Sequence, residues 1–371
     1  MNAKHRPSLL SRRQFVAAST AGLTVVSLSP KVSLPEAPHP VPDNAVRRVI
    51  IDTDPGVDDA MALLLAMRSP ELKIEAITPV AGNVVLDLAL PNALRMVEVA
   101  GRTEIPVAAG ARAPLRRKLV VSTFAHGSNG LGDLDFPVPR TKPVEEPATE
   151  IIRRIVSGSP GEVSIIAVGP LTNVASALRA YPSLAQQIRE IVLMGGSLSG
   201  GNMTPAAEFN MYVDPEAASV VFSSGVAVTM VGLDVTRKCT LTEDHVKALE
   251  AGKDSVSQTA ARITRHALER SKKADWGPPV MHDPLAVAAF IDRTLVARRD
   301  YFVAVETQGQ LTAGETVGYE RAPLRQSAPL EGSSAASEIE SPALVPNAKV
   351  AVEVDVAAFF HLFIERLAGR S

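Results

Sequence analysis

The sequence of 371 residues has little of several features that mark particular protein classes. Its one cysteine, Cys239, cannot form an internal disulfide, so the fold does not depend on oxidation. No base is identifiable beside this thiol, which favours an inert structural role. The formal net charge of −2 gives no electrostatic reason to expect nucleic acid or an anionic membrane as a partner. Aromatic residues make up 4% and hydrophobic residues 46%, as is ordinary for a soluble globular protein.

The N-terminal segment also lacks a hydrophobic run that could hold it in a membrane. Residues 15–28 are only modestly apolar and too short for a stable span, and they follow a basic start. The run Ser11–Val16 resembles the twin-arginine export motif, although a frayed arm with a chance arginine pair is the alternative. We therefore expect residues 1–30 to be an export signal and the proline-rich residues 31–45 to be a linker. This implies a bacterial protein that is exported folded to the periplasm, without stable membrane association afterwards.

From residue 46 onward the pattern alternates between strands and helices. Apolar runs such as 49–52 and 191–194 predict strands, and amphipathic stretches between such runs predict helices. Repeated strand–helix units favour an α/β fold with a doubly wound, mostly parallel sheet and helices on both faces. Runs at 302–306 and 350–354 predict strands of a small additional sheet near the C-terminus. No internal repeat or linker divides residues 46–371, so one domain is expected there.

The most informative stretch places four carboxylates at the end of the first predicted strand. Asp52, Asp54, Asp58 and Asp59 fall within eight positions, and the last two begin the predicted helix 57–68. In open α/β sheets, ligands bind at this end of the strands. Like charges so close together repel, and a set of oxygen ligands suits a hard cation such as calcium or magnesium. Helix capping is the alternative for the two acids in the helix, but it does not explain the two at the end of the strand.

Residues 52–60, Asp-Thr-Asp-Pro-Gly-Val-Asp-Asp-Ala, closely resemble the signature of the nucleoside hydrolases of the inosine–uridine-preferring kind. The resemblance continues in order, to about residue 300, through further short motifs. These are Gly82-Asn83, residues 126–132, residues 169–173, residues 194–196, Asn202, residues 208–210, residues 214–217 and residues 281–284. Each motif alone is a weak signal, whereas the ordered set is specific. The resemblance implies an enzyme that hydrolyses the N-glycosidic bond of ribonucleosides such as inosine and uridine to ribose and free base.

The resemblance also implies a metal site. Asp54, Asp59 and Asp283 are expected to ligate a calcium ion together with the backbone carbonyl of Thr172. Calcium takes roughly six to eight oxygens, so waters and ribose hydroxyls would complete the shell. Asp54 is also the expected general base, which takes a proton from the calcium-bound water. Asp52 is expected to orient the cluster.

The ribose contacts follow from the same resemblance. Asp58 is expected to accept a hydrogen bond from a ribose hydroxyl. The other residues expected to hold ribose hydroxyls, which both donate and accept, are Asn83, Asn202, Glu208 and Asn210. Taken singly the asparagines would be interpreted as turn or cap residues, and the ordered set is what favours ribose binding.

Two histidines are the expected residues on the side of the base. His282 precedes Asp283 and titrates near neutrality, so it can protonate the leaving ring nitrogen. His126 is a second candidate for the base pocket. Trp276 could stack on a base, with ordinary packing as an equal alternative. The basic residues at 262–266 are better explained as a solvated helix face.

Two other functions remain open on the sequence. A haloacid-dehalogenase-like phosphatase would use Asp52 as its nucleophile, but the continuation at residues 55–59 does not suit that family. A periplasmic protein that binds nucleoside or metal without turnover fits export and a cleft, but not so complete a set of acids. The nucleoside hydrolase interpretation implies a small-molecule nucleoside as partner and, by resemblance only, a homo-oligomer. The run Ser327–Pro346 is a predicted loose loop that departs from the family pattern.

Overall fold

An eight-stranded mixed sheet positions the loops that carry the predicted site residues. The computed structural model describes residues 46–320 and 345–369. The strands are β1 (Arg47–Thr53), β2 (Leu72–Pro79), β3 (Val163–Ala167), β4 (Ile191–Met194), β5 (Val228–Val231), β6 (Val296–Val305), β7 (Thr316–Tyr319) and β8 (Ala348–Val354). The predicted export signal, the linker and most of the loop Ser327–Pro346 lie outside the described residues, so they stay predictions.

Twelve α-helices occur among the described residues. They are α1 (Val57–Met67), α2 (Leu86–Val99), α3 (Thr123–His126), α4 (Ala148–Ser157), α5 (Thr172–Ala180), α6 (Phe209–Val213), α7 (Pro215–Phe222), α8 (Leu233–Thr236), α9 (Glu243–Glu250), α10 (Ser255–Ala274), α11 (His282–Ile291) and α12 (Val356–Ala368). None of these helices combines the length and the apolar character that crossing a membrane requires.

The strand order is β2-β1-β3-β4-β5-β8-β6-β7, and all neighbours from β2 to β8 are parallel. Strand β6 pairs antiparallel with β8, and β7 pairs antiparallel with β6. The predicted α/β fold is therefore confirmed. The prediction of a separate small sheet is wrong, because the C-terminal strands extend the main sheet.

The chain leaves β1 in one direction to form β2 and returns to its other side to form β3, so the strand order reverses at β1. In such sheets a crevice forms outside the carboxyl ends of the strands at the reversal point. The acids that follow β1 occupy this position.

Apolar side chains on both faces of β1 hold this region rigidly. Ile50 belongs to one hydrophobic core, while Val49 and Ile51 belong to the core on the other face, as the alternation of side chains along a strand dictates. Helix α1 is buried along its whole length and packs against α11. The loop between β1 and α1 is thus anchored at both ends by buried elements.

Candidate active site

A cavity of about 320 Å³ opens at the carboxyl edge of the sheet, a size that suits a small-molecule ligand. Most of the predicted site residues line it. These are Asp58, Asn83, His126, Asn202, Glu208, Asn210, His282 and Asp283. Asp54 and Asp59 do not line the cavity, but the lining residue Asn83 bonds to both. We refer to Asp54, Asp58, Asp59, Asn83 and Asp283 as the floor of the site.

Asp59 is held by hydrogen bonds from four donors. Its Oδ1 accepts from the hydroxyl of Thr53 (2.6 Å) and the backbone N–H of Asp54 (3.2 Å). Its Oδ2 accepts from the backbone N–H of Gly56 and from Nδ2 of Asn83, both at 2.9 Å. The bond to Gly56 caps α1, so the capping interpretation also holds for this residue. Capping fixes the carboxylate rather than competing with a role in the site.

Asp54 is fully buried and only partly paired. Its Oδ2 accepts from the backbone N–H of Asn83 at 2.6 Å, whereas its Oδ1 has no hydrogen-bond partner. A side chain at Gly169 would lie 2.7 Å from that unpaired oxygen, so glycine is what lets this chain segment approach it. Burial, followed by the charge of Asp59, raises the pKa of Asp54 well above its ordinary value.

One carboxylate oxygen from each of Asp58, Asp59 and Asp283 lies within 4.8 Å of the others. Burial and the neighbouring acids raise the pKa of Asp283 well above its ordinary range. Burial and the charge of Asp59 raise the pKa of Asp58 to about 6. Three buried carboxylates this close together repel one another, and a cation between them would offset that repulsion. With the unpaired oxygen of Asp54 beside them, the donor set consists entirely of oxygen and fits a hard metal ion.

Asp52 is held apart from this cluster by neutral partners. Its Oδ2 accepts from the hydroxyl of Thr78 (2.5 Å) and from Nδ2 of Asn173 (2.8 Å), while its Oδ1 has no partner. Burial raises its pKa to about 7, against the lowering effect of these two bonds. Its predicted role as the residue that orients the acids stays a prediction, since its bonds are to Thr78 and Asn173.

The structure places Thr172 in the first turn of α5, where its hydroxyl donates to Asp214 at 2.7 Å. Thr172 is not among the residues that line the cavity, whereas Val168, at the end of β3, is. The backbone ligand at Thr172 therefore stays a prediction, and the carbonyl of Val168 is a second candidate from the same connection. Val168 follows β3 and Thr172 begins α5, and the sequence pattern does not show which of the two carbonyls faces the acids.

Glu208 and Asn210 form a rigid polar wall beside the floor. The Glu208 carboxylate caps α6 and accepts from the backbone N–H groups of Gly196, Asn210 and Met211 at 2.9–3.1 Å. Burial raises its pKa to about 7 against these bonds. Nδ2 of Asn210 donates to the carbonyls of Val168 and Met194, which leaves its Oδ1 free to accept from a ligand.

Asn202 and Asn83 are oriented in complementary ways. Oδ1 of Asn202 accepts from the backbone N–H of Phe209 at 2.9 Å, so its Nδ2 is available as a donor. Nδ2 of Asn83 donates to Asp59 and to the carbonyl of Asp54, so its Oδ1 is available as an acceptor. The cavity thus presents both donors and acceptors, as recognition of hydroxyl groups requires.

His126 is a fixed, neutral group. Its Nδ1 accepts from the backbone N–H of Val57 at 3.1 Å. Because a backbone N–H can only donate, Nδ1 carries no proton and Nε2 carries it. Burial lowers the pKa of His126 to about 4, and the charge of Arg270 adds to this effect, while the charge of Asp59 opposes it.

His282 stands in a different environment. Its Nδ1 lies 2.8 Å from the hydroxyl of Thr236, which can either donate or accept and so permits either protonation state. Burial lowers the pKa of His282, while the nearby charge of Asp58 opposes that shift. Of the two histidines, His282 is therefore the one suited to exchange a proton.

Two exposed aromatic residues and a half-buried arginine also line the cavity. Phe124 is 60% exposed and Trp276 is 57% exposed, and their rings meet edge to face at 6.5 Å. Arg270, on α10, donates to the backbone carbonyls of Phe124 and Ala125. We refer to Phe124, Arg270 and Trp276 as the mouth of the site.

Several of these residues were missed by the sequence interpretation. Phe124, Thr236 and Arg270 carry no local motif that would single them out. Arg270, however, lies one helical turn beyond the basic residues at 262–266, so the helical repeat contains a signal for it. Those residues themselves bond elsewhere: Arg262 donates to the carbonyl of Asp135, and Arg265 pairs with two glutamates. Cys239 is buried, which raises its pKa to about 12 and confirms a structural thiol.

Comparison with known proteins agrees with this geometry. The family model for inosine-uridine preferring nucleoside hydrolases matches residues 49–361. A pyrimidine-specific ribonucleoside hydrolase from Citrobacter koseri is 42% identical over 323 residues, which cover 86% of this chain and 97% of the relative. One from Photobacterium profundum is 43% identical over 73% of this chain and 88% of the relative.

Solved structures show the same likeness. A plant nucleoside hydrolase superposes with a TM-score of 0.78 at 33% identity, covering 87% of this chain and 99% of the other. A purine-preferring ribonucleoside hydrolase from Gardnerella vaginalis gives 0.77 at 33% identity, with coverage of 87% and 98%. The chain therefore belongs to the inosine–uridine preferring nucleoside hydrolase family and is an N-ribosyl hydrolase, which confirms the family and the enzyme class predicted from the sequence.

Proposed function

We propose that this enzyme is a calcium-dependent hydrolase of ribonucleosides that prefers pyrimidine bases. The observation that carries the proposal is the buried carboxylate floor beside a wall of oriented amide and carboxylate groups. A phosphatase nucleophile at Asp52 is disfavoured, since that carboxylate is bonded to Thr78 and Asn173 and does not line the cavity.

Asp54, Asp59 and Asp283 would hold the metal ion, with Asp58 and the carbonyl of Thr172 or Val168 next to them. Calcium suits this set because it takes several oxygen ligands in flexible geometry. When bound, the ion supplies positive charge that makes a coordinated water more acidic and offsets the repulsion among the acids.

The protein's own groups then divide the reaction between them. Asp54, with its unpaired Oδ1, accepts a proton from the attacking water. Asn210, Asn202 and Asn83 hold the ribose hydroxyls through the amide atoms that their hydrogen bonds within the protein leave free. Glu208 accepts from a ribose hydroxyl at Oε1, which has one backbone donor and a second lone pair. His282 donates a proton to the leaving base, a role that the charge of Asp58 supports by opposing the lowering of its pKa. The expected transition state has oxocarbenium character, as in the hydrolysis of O-glycosides.

The base preference rests on the relatives and on the mouth. The relatives from Citrobacter koseri and Photobacterium profundum are named as pyrimidine-specific, whereas that from Gardnerella vaginalis is named as purine-preferring. Phe124 and Trp276 offer aromatic surface to a base, and His126 offers a fixed N–H from Nε2 to a base carbonyl. Uridine and cytidine are therefore the expected substrates, with inosine hydrolysed more slowly.

The proposal is tested by measuring free base released from uridine, cytidine, inosine and adenosine. Each nucleoside is assayed with the full chain as purified, with a chelator, and with calcium or magnesium restored. We expect release from uridine that is lost on chelation and recovered best with calcium. The variant Asp283→Asn is the negative control for contaminating hydrolases. Release that continues unchanged in chelator, or no release from any nucleoside by folded, calcium-loaded protein, would contradict the proposal.

We also propose that the enzyme is exported through the twin-arginine pathway and works as a homo-oligomer in the periplasm. Support for export is the resemblance of Ser11–Val16 to the export motif. Replacing Arg12 and Arg13 with lysine should leave the protein in the cytoplasmic fraction of a bacterial host, while the unchanged chain reaches the periplasm. The assembly is tested by the mass of the purified protein in solution.

A further inference from the structure

A single buried amide connects the two loops that meet at the active site. Asn92, on α2, is 1% exposed and lies outside every motif of the sequence resemblance. Its Nδ2 donates to the carbonyl of Pro55 at 3.1 Å and to the carbonyl of Asn129 at 2.9 Å. Pro55 belongs to the loop that carries the floor acids, and Asn129 belongs to the loop that follows His126. Both side-chain hydrogens of Asn92 are therefore used to hold these two loops together.

The orientation of this amide is fixed by Arg95, one helical turn further along α2. The guanidinium of Arg95 donates to Oδ1 of Asn92 at 2.6 Å and to the carbonyl of Pro137 at 3.1 Å. Because arginine can only donate, the oxygen of Asn92 must face it, and the NH₂ group must face the two carbonyls. Asn92 cannot rotate without breaking three bonds.

The loop that follows His126 packs closely against this contact. Gly130 has a φ of +84°, and a side chain there would lie 2.8 Å from Nδ2 of Asn92 and 3.0 Å from the carbonyl of Pro55. The two loops are thus packed directly against each other around the amide. A few residues along each loop, the N–H of Val57 donates to Nδ1 of His126, and that nitrogen lies 3.9 Å from Oδ1 of Asp58.

We propose that Asn92 is a positioning residue that sets the distance between the acids of the floor and the imidazole of His126. This inference rests on the proposed function, in which the floor acts at the ribose and His126 contacts the base. Asn92 is not placed to contact the ribose or the base, since it does not line the cavity. It acts by fixing the spacing between the groups that bind the two ends of one substrate. A displacement of about 1 Å between such groups can cost about a hundredfold in rate.

The principal test is Asn92→Asp, which keeps the shape of the side chain and its bond to Arg95 but removes both donors. The matched control is Asn347→Asp. Asn347 likewise donates to two backbone carbonyls, those of Phe222 and Val303, and its Oδ1 accepts from an N–H. It precedes β8 and so lies at the amino edge of the sheet, opposite the active site. Both variants lose the same kind of bonds, but only one lies between the loops.

We expect Asn92→Asp to lower kcat for uridine about ten- to a hundredfold while KM rises less, because each half-site still binds its part of the substrate. Asn347→Asp should leave both constants within about twofold of the unchanged enzyme. The second readout is the ring nitrogen NMR spectrum at one fixed pH, with the His126 signals assigned by their loss in His126→Gln. The unchanged protein should show a protonated Nε2 and an unprotonated Nδ1, and Asn92→Asp should show a mixture of tautomers.

The proposal is overturned if folded Asn92→Asp matches Asn347→Asp in kcat and leaves the His126 signals unchanged. If Asn92→Asp does not fold, Arg95→Met decides, because it leaves Asn92 in place and removes the guanidinium that orients it, together with that group's bond to Pro137. That variant should show the same tautomer mixture and a smaller fall in kcat, and unchanged values for both would overturn the proposal. If the unchanged enzyme hydrolyses no nucleoside, the proposed function fails, whereas the NMR comparison still decides the role of Asn92.

Discussion

The floor and the mouth of the cavity are built in opposite ways. Every floor residue is buried, and three of them are tied together by bonds that run through Asp59 and Asn83. The mouth has two aromatic rings that are more than half exposed. Arg270 is bonded to this part of the chain through the backbone carbonyls of Phe124 and Ala125. The floor therefore has one arrangement that its surroundings dictate, whereas the mouth has few constraints on which side chains it contains.

This difference matches the two tasks of a nucleoside hydrolase. Ribose is common to all ribonucleosides, and bond cleavage needs groups held in fixed positions. The base is what differs between substrates, and an exposed aromatic surface accepts any base that can stack on it. We infer that the floor determines the rate of bond cleavage and the mouth determines how tightly the base is bound, which predicts different kinetic effects for changes in the two regions.

The largest effect is expected for Asp54→Asn in the floor. Asparagine can keep the bond from the N–H of Asn83 but cannot accept a proton, so kcat should fall by roughly 10²–10⁴-fold. Base release from uridine measures this. Asp355→Asn, at an exposed helix cap far from the cavity, is the control and should leave kcat unchanged. Retention of more than a tenth of the activity by Asp54→Asn would show that another group accepts the proton.

The next effect separates the two histidines. His282→Gln should lower kcat roughly 10²-fold or more because the proton donor to the leaving base is lost. His126→Gln should mainly raise KM, by about tenfold, because one hydrogen bond to the base is lost. Burial keeps the pKa of His126 at about 4, so this histidine is neutral above about pH 5. The pH profile of His126→Gln should therefore match that of the unchanged enzyme from about pH 5 to pH 8, and a shifted acidic limb would contradict the fixed-donor role.

A smaller effect is expected at the mouth. Trp276→Ala and Phe124→Ala should each raise KM for uridine several-fold to about tenfold while kcat stays within about threefold, since base stacking contributes about 1–3 kcal/mol. Tyr319→Ala, which removes a ring that is 42% exposed and outside the cavity, is the matched control. A fall in kcat as large as that of a floor variant would show that the mouth also takes part in bond cleavage.

The sequence predicted the floor better than the mouth, for a physical reason. The floor acids follow an apolar strand and begin a helix, so local pattern places them at the carboxyl edge of the sheet. Phe124 and Trp276 come together from chain segments about 150 residues apart, and neither shows a periodicity that would link them. Trp276 stands out in the sequence as a possible base contact only because it is the one tryptophan.

Which strands pair and which distant side chains bond to each other is harder to predict than where a strand or helix lies. The strands near 302–306 and 350–354 were predicted as strands, and they are β6 and β8. Their place in the main sheet depends on pairing with β5, which lies more than 100 residues away from β8 along the chain. Likewise, no sequence signal indicated that Asn173 and Thr78 hold Asp52, or that Thr236 holds His282. A residue's type and local period are visible in the sequence, whereas its distant partner is not.

The smallest expected effect concerns the stability cost of burying Asp52, which lies next to the floor in the sequence, in the absence of metal. The unfolded chain ionises Asp52 near its ordinary pKa of 3.8, whereas burial raises the pKa of Asp52 to about 7 in the folded protein. Between these two values the unfolded state loses the proton first, so the folded state becomes less favourable as pH rises. Asparagine can accept the same bonds from Thr78 and Asn173 without a charge. The free energy of unfolding of Asp52→Asn, minus that of the unchanged protein, should therefore increase from about pH 4 to about pH 7 and level off above.

Urea unfolding in metal-free buffer at about pH 4.5, pH 6 and pH 7.5 measures this difference. Asp355→Asn is the control, because an exposed carboxylate gains little from losing its charge and should show no such rise. Calcium should stabilise the unchanged protein more at about pH 7.5 than at about pH 4.5, since the cation competes with protons for the same acids. If the difference for Asp52→Asn falls with rising pH, the folded protein must favour the charged form of Asp52. Burial of Asp52, which lies outside the floor, would then not lower stability as pH rises, and any stability cost of buried acids would fall on the floor residues themselves.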